Sequence, residues 1–160
     1  MTTPSRPTIR ILIVDDHSAY RSILRLLCES KGRFEVIGEA ENGLKAIEKA
    51  HQLQPDVILM DIRMPVMDGI KATQSITQAN PAARVIMLTA HAQDPYLFDA
   101  VKAGARGYLI KDVDPDTLVR SIQAVYRGET LLDSALTTQL LEEIRGFTLP
   151  SPLKLAQSNA

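Results

Sequence analysis

The chain has 160 residues, of which 45% are hydrophobic, and this suffices for one domain with a sizeable core. Its 18 basic and 19 acidic residues leave a net charge of −1, which argues against a basic surface for nucleic acid or acidic membranes. A single cysteine, Cys28, rules out an internal disulfide or a cysteine metal cluster. The sequence contains neither a signal peptide nor the roughly 18 apolar residues of a membrane span, so we expect a cytoplasmic protein.

Short apolar runs alternate along the chain with amphipathic segments, which is the pattern of a βα repeat. Three of the runs are almost continuously apolar, as parallel strands buried on both faces are. The second run alternates more, which is typical of an edge strand. The pattern predicts five strands, at Ile9 to Val14, Phe34 to Ala40, Val57 to Asp61, Arg84 to Leu88 and Gly107 to Ile110.

Residues that favour helix ends separate the strands. Five strands and five helices with right-handed crossovers predict an α/β fold, a doubly wound, flavodoxin-like parallel sheet of order 2-1-3-4-5. The expected boundaries are Ser18 for the first helix, Asp68-Gly69 and Asn80-Pro81 for the third, Asp94-Pro95 and Gly104 for the fourth, and Asp114-Pro115 for the start of the fifth.

The chain outside this repeat divides into three parts. Residues 1–7 form a polar leader that we expect to be disordered, and 8–128 form the α/β domain. Residues 129–146 are expected to contain a linker helix, since Ser134 to Arg145 carries an apolar stripe at helical spacing. Residues 147–160 are expected to form a flexible tail.

Polar side chains stand where the predicted strands end: Asp15 and Asp16 after the first, Asp61 at the third, Thr89 after the fourth and Lys111 after the fifth. Parallel strands bring these ends to one edge, where open α/β folds bind ligands. Two carboxylates 4 Å apart repel by about 4 kcal/mol at an effective dielectric constant of 20, so three require a counterion or a proton. Hard oxygen ligands at a partly hydrated site favour Mg²⁺.

A carboxylate beside such a metal can attack phosphorus, while a lysine and a hydroxyl bind the phosphoryl oxygens. Each residue also has a structural interpretation, because a strand-end acid is often a helix cap and a lone threonine or lysine is usually structural or solvated. Their occurrence together at successive strand ends favours the site.

Four motifs resemble, in order and spacing, those of the receiver domain of bacterial two-component response regulators. The resemblance covers about Thr8 to Gly128 and implies the CheY-like form of the flavodoxin-like fold. The motifs are Val14-Asp15-Asp16-His17, the segment Met60 to Gly69, Leu88-Thr89-Ala90, and Gly107 to Lys111. The segments Lys102 to Asp112 and Arg127 to Glu129 resemble the NarL/FixJ (LuxR-type) branch in particular.

The resemblance implies that Asp61 is the phosphoacceptor, which takes a phosphoryl group from the phosphohistidine of a sensor histidine kinase. It implies that Asp16, Asp61 and the backbone carbonyl of Arg63 bind Mg²⁺ directly, with Mn²⁺ as a substitute. Asp15 would act mainly through a bound water. The protein would then be a signalling domain that carries and loses its own phosphoryl group, not a metabolic enzyme.

The remaining implied roles concern the phosphorylated state. Thr89 and Lys111 would bind the new phosphoryl group, and Thr89 and Tyr108 would form the conformational switch. Arg63 and His91, each two residues past a site residue, would tune phosphoryl hydrolysis.

The carboxyl end departs from the branch, whose members normally carry a helix-turn-helix DNA-binding domain after the linker helix. Only residues 147–160 follow here, so we expect this chain itself to bind no nucleic acid. Two alternatives stay open: a piece of a transcription factor, or a stand-alone regulator that acts through protein contacts. For a homodimer, the faces of the fourth and fifth helices or of the first and fifth helices are both candidates.

Two functions of other classes are less compatible with these residues. An aspartyl-phosphate phosphatase typically has a second aspartate two residues after its nucleophile, where this chain has Arg63. A flavodoxin-like cofactor carrier needs neutral backbone donors after the first strand. Asp15 and Asp16 would instead repel a phosphate.

Overall fold

The computed structural model of the protein describes residues 8–31, 33–91 and 95–132, and the single positions 137, 138, 141, 142 and 145. Among these residues, no helix has the length and apolar character needed to span a membrane. The elements in chain order are β1 (Ile9–Val14), α1 (Ser18–Ser30), β2 (Phe34–Ala40), α2 (Gly43–Leu53), β3 (Val57–Asp61), α3 (Gly69–Ala79), β4 (Val85–Thr89), α4 (Leu97–Lys102), β5 (Gly107–Ile110), α5 (Pro115–Tyr126) and β6 (Leu131–Leu132).

The strands form one sheet of order β2-β1-β3-β4-β5-β6 in which every pairing is parallel. This confirms the predicted doubly wound order of the first five strands. The fourth strand is shifted by one residue from the prediction, so Thr89 is its last residue and does not follow it. The short strand β6 was not predicted, because two residues are too few for any hydrophobic periodicity.

The two faces of the sheet carry separate hydrophobic cores. Buried residues of α2, α3 and α4 pack on one face, and those of α1 and α5 pack on the other. Alternate residues of a central strand serve the two cores, so that Leu12 and Val14 of β1 face one core while Ile11 and Ile13 face the other. The continuous apolar runs of the sequence therefore reflect a sheet that is covered on both faces.

Two predicted helix starts are present. The side chains of Asp68 and Asp114 are the N-caps of α3 and α5, and each accepts the backbone N–H of the third residue that follows. At α4, Asp94 lies outside the described residues and the helix begins at Leu97. Gly104 follows the end of α4 with φ of 107°, a left-handed conformation that glycine adopts without strain.

The predicted cap of α1 was wrong. Ser18 is the first residue of the helix, and His17 occupies the N-cap position without a capping hydrogen bond from its side chain. The helix starts there because the His17 carbonyl accepts the Arg21 N–H at 3.1 Å, and the Asp15 carboxylate holds the His17 backbone N–H at 2.8 Å. The start of α1 is thus held by a residue of the candidate site.

Three of the predicted segments lie largely outside the described residues. Residues 1–7 and 147–160 are not described, and the linker segment 129–146 is described only in part. Its beginning forms β6. The described positions of the predicted sixth helix have helical backbone; they are Thr137, Thr138, Leu141, Glu142 and Arg145.

Gly69 allows the start of α3 to lie directly against the end of β3. Its N–H donates to the Ile62 carbonyl at 2.7 Å, and a Cβ at this position would collide with the backbone oxygen of Asp61. We predict that Gly69→Ala lowers the free energy of unfolding by about 1–3 kcal/mol, the usual effect of overpacking. Urea unfolding measures this, with the exposed α3 substitution Gln74→Ala as control. Equal stabilities of the two variants would contradict the prediction.

Candidate functional site

The carboxyl ends of four strands meet at one edge of the sheet and form the candidate site. Asp15 and Asp16 directly follow β1, Asp61 ends β3, Thr89 ends β4 and Lys111 directly follows β5. Asp15, Asp61 and Thr89 are buried, with exposed fractions of 0%, 6% and 2%. The structure therefore brings together the residues that the strand-end pattern singled out.

The Lys111 ammonium joins two of the carboxylates. Its Nζ donates to Asp15 Oδ2 at 2.7 Å and lies 3.2 Å from Asp61 Oδ1. Burial alone would lower the pKa of Lys111, but the hydrogen bond to Asp15 and the charge of Asp61 outweigh it, and the pKa is raised. Lys111 is therefore a fixed positive charge of the site.

One ammonium does not balance the carboxylates around it. Burial, and after it the charge of Asp15, raises the pKa of Asp61 to about 6, even though Lys111 favours the ionised form. In the absence of another cation, ionisation of Asp61 in the folded protein therefore costs free energy. This is the electrostatic condition under which a divalent metal binds well.

The donor set at this edge fits a divalent cation. Asp15, Asp16, His17 and Asp61 each offer one ligand atom, and these atoms all lie within 4.8 Å of one another. Asp16 Oδ1 is buried and makes no hydrogen bond within the described part of the chain, although His17 Nδ1 lies 3.1 Å from it. A buried carboxylate oxygen without a donor is unfavourable unless something positive binds it, so this atom supports a cation site.

Asp61 lines a cleft of about 200 Å³. Thr89 lines the cleft, and its Oγ1 accepts the backbone N–H of His91 at 3.3 Å. The Arg63 guanidinium lies 5.3 Å from the ring centroid of Tyr96, which precedes α4. The lining residues are His17, Asp61, Ile62, Arg63, Thr89, Ala90, His91 and Lys111.

Three predicted site residues do not line this cleft: Asp15 and Asp16, which lie in the acidic cluster beside it, and Tyr108. The Tyr108 side chain is fully buried in the core between the sheet and α2, α3 and α4, in the same cluster as Met87, Leu97 and Ala100. The ring therefore lies in the hydrophobic core in the described conformation.

Sequence reasoning missed two residues of α1 that hold the site. The Tyr20 ring centroid lies 4.7 Å from the Lys111 ammonium, and the Tyr20 hydroxyl donates to the Lys111 carbonyl at 3.3 Å. Burial, then the charges of Asp15 and Asp61, raises the pKa of Tyr20 to about 12, so the hydroxyl stays protonated.

Arg21 is the second of these residues. Its Nη1 donates to the Asp15 carbonyl at 2.6 Å, and its Nε donates to the Glu39 carboxylate at 2.9 Å. The available signal was position, because side chains in the first turn of a helix lean back over its amino end. Tyr20 and Arg21 lie in the first turn after the acids.

The geometry agrees with the comparisons to known proteins. The family profile described as the response regulator receiver domain matches residues 11–123. The chain belongs to this family, in its NarL/LuxR-type branch. The sheet order and the strand-end acids are those expected of a receiver domain.

Curated relatives of this receiver are named as transcriptional regulators. The Bacillus subtilis transcriptional regulatory protein LnrK is 42% identical over 135 residues, which are 84% of this chain and 61% of the relative. The oxygen regulatory protein NreC of Staphylococcus carnosus is 35% identical over 84% of this chain and 63% of its own length. The chain thus spans about three fifths of these relatives.

A solved structure shows the same fold over most of the chain. A LuxR-family two-component response regulator from Aurantimonas sp. SI85-9A1 matches with a TM-score of 0.79 and 34% identity, over 86% of this chain and 98% of that one. The receiver domain of the putative regulator NarL from Mycobacterium tuberculosis matches with a TM-score of 0.73 and 30% identity, over 78% and 100%.

The contact between Tyr20 and Lys111 predicts a difference between two substitutions. Tyr20→Phe keeps the ring, so the Lys111 ε-methylene protons should retain the upfield NMR shift that an adjacent ring causes. Tyr20→Leu should abolish that shift and lower stability by about 0.5–1 kcal/mol relative to Tyr20→Phe. An unshifted Lys111 resonance in the unsubstituted protein would show that the ring does not cover the ammonium.

Proposed function

We propose that this receiver accepts a phosphoryl group on Asp61 from the phosphohistidine of a sensor histidine kinase and thereby controls an output. The observation that carries the proposal is the buried Asp61 carboxylate, bound by Lys111 beside other acids and open to a cleft that Thr89 lines. In the reaction an Asp61 oxygen attacks phosphorus, the P–N bond of the donor breaks and its electron pair returns to the kinase imidazole. The product is an acyl phosphate.

Asp16 and Asp61 would hold Mg²⁺, or Mn²⁺ in its place, together with the backbone carbonyl of Arg63, while Asp15 acts through a water. The bound ion supplies charge neutralisation of the transferring group. The buried Asp16 oxygen and the carboxylates around it support this assignment.

The protein's own side chains bind the product. Lys111 is already placed at the carboxylate that becomes phosphorylated, and the Thr89 hydroxyl lines the same cleft. Both are donors, so both bind phosphoryl oxygens. We assign Arg63 and His91, which line the cleft, to tuning the access of water that hydrolyses the acyl phosphate.

Thr89 and Tyr108 form the proposed switch. When the Thr89 hydroxyl moves toward a phosphoryl group, the space behind it would favour an inward aromatic ring, and the full burial of Tyr108 supports this assignment. Phosphorylation would act by stabilising this conformer over one with the ring outside, which changes the surface of α4, β5 and α5.

The output that we propose is transcription, through a DNA-binding domain that is not among the described residues. Relatives named as transcriptional regulators, which this chain matches over about three fifths of their length, support it. A stand-alone regulator that acts by protein contact is the alternative. As in the family generally, we place the protein in the cytoplasm and expect phosphorylation to promote any homodimer.

An aspartyl-phosphate phosphatase is disfavoured by Arg63, a cation that occupies the position of the second aspartate. Such an enzyme needs a carboxyl group there to protonate the leaving group and activate water.

The direct test is the intact mass of the protein after incubation with acetyl phosphate, with and without Mg²⁺. We expect one added phosphoryl group in the wild type with Mg²⁺, and none with EDTA or in Asp61→Asn. Asp68→Asn is the matched control, because Asp68 caps α3 outside the site and should leave the adduct unchanged. An adduct that persists in Asp61→Asn would contradict the assignment, and so would the absence of both an adduct and beryllofluoride binding in the wild type.

A further inference from the structure

His17 has no part in the phosphoryl chemistry assigned above, yet its ring lies among the candidate metal ligands. Its Nδ1 is 3.2 Å from Asp15 Oδ1 and 3.1 Å from Asp16 Oδ1. The contact with Asp15 is a hydrogen bond, whereas the Asp16 oxygen makes none within the described residues. The Nδ1 atom is thus close to both carboxylates but makes a hydrogen bond with only one of them.

These separations are hydrogen-bond distances, and they are also compatible with atoms that share a metal ion. Two ligands at right angles on an ion with bonds of about 2.1 Å lie about 3.0 Å apart, and at a tetrahedral angle about 3.4 Å apart. The distances of 3.1 and 3.2 Å fall between these values. Nδ1 would therefore need little movement to coordinate an ion that Asp16 binds.

The backbone favours this arrangement. His17 is the N-cap of α1, and its N–H donates to the same Asp15 oxygen, Oδ1, that faces its ring. This bond fixes the peptide from which the imidazole projects. The side chain is 71% exposed, so an ion can reach the ring nitrogen from solvent.

We propose that His17 Nδ1 is a direct ligand of the cation site, and that it gives the site a preference for late first-row transition-metal ions, with Zn²⁺ as the representative. Carboxylate and water ligands suit Mg²⁺, whereas imidazole nitrogen suits zinc, copper, nickel and iron. The acids alone, Asp15, Asp16 and Asp61, would offer only oxygen ligands. With His17, the site offers both nitrogen and oxygen ligands.

This inference deepens the proposed function, because the same acids serve both ions. Zn²⁺ would compete with Mg²⁺ for the site and so regulate phosphoryl acceptance by Asp61. Metal binding is measured without a phosphoryl donor, so failure of the inference and failure of the proposed function give separate results.

A rival role for His17 gives the opposite result. If the imidazole served only as a positive partner for Asp15 and Asp16, an incoming ion would have to displace it. Removing the ring would then tighten the binding of every divalent ion. If Nδ1 is a ligand, removing it weakens the binding of Zn²⁺ selectively.

The experiment is calorimetric titration of the untagged protein with ZnCl₂ and, separately, MgCl₂. We expect His17→Gln to weaken Zn²⁺ binding about tenfold or more, since even outer-shell changes alter metal affinity 10- to 100-fold, and to change Mg²⁺ binding by less than about twofold. The matched control is His51→Gln, because His51 is an exposed histidine of α2, outside the four-residue cluster. It should leave both affinities unchanged.

Three results would overturn the inference: unchanged Zn²⁺ affinity in His17→Gln, tighter Zn²⁺ binding, or equal weakening of Zn²⁺ and Mg²⁺. A second measurement uses the wild-type protein and does not depend on how the variant folds. In the Co²⁺ complex, a histidine ligand gives a strongly shifted NMR signal from a carbon-bound ring proton, which does not exchange with water. We expect this signal, and its absence at saturating Co²⁺ would also overturn the inference.

Discussion

The Lys111 ammonium, which contacts Asp15 at 2.7 Å and Asp61 at 3.2 Å, is the interaction on which the site depends. It allows two buried carboxylates to lie within a few ångströms of each other at one edge of the sheet. Its charge is insufficient for the full set of acids, which leaves the pKa of Asp61 raised and one oxygen of Asp16 without a hydrogen bond among the described residues. The site can therefore form without a metal, while its excess of negative charge favours the binding of a further cation.

The fold makes this charge arrangement possible, because parallel strands deliver residues that are far apart in sequence to one edge. Lys111 follows β5 and reaches across β4 to Asp61 at the end of β3. Helix α1 holds Lys111 and Asp15 in place. Tyr20 covers the Lys111 ammonium. Arg21 donates to the Asp15 carbonyl and also pairs with Glu39 of β2. Separate hydrophobic cores on the two faces of the sheet support this edge, so its geometry does not depend on a flexible loop alone.

Much of this could be predicted from the sequence, because the signals are local. Buried parallel strands appear as apolar runs, and Asp61, Thr89 and Lys111 stand at their ends. The sequence did not reveal Tyr20, whose role depends on the direction of a side chain in the first turn of α1. It also did not reveal that His17 is the helix cap, because the competing partner, the Asp15 carboxylate, becomes evident only in three dimensions. Strand β6 was not predicted because two residues are too few to show a hydrophobic periodicity, and its pairing with β5 is a tertiary contact.

The central claim is that repulsion and burial at Asp61 exceed the stabilisation it receives from Lys111 until a cation binds. Urea unfolding of the wild type and of the nearly isosteric Asp61→Asn, each with EDTA or with Mg²⁺, tests it most directly. At pH 7 without metal, we predict that Asp61→Asn is more stable than the wild type by about 1 kcal/mol or more. Mg²⁺ should stabilise the wild type and stabilise Asp61→Asn much less. A metal-free Asp61→Asn that is less stable than the wild type, or a wild type that Mg²⁺ does not stabilise, would contradict the claim.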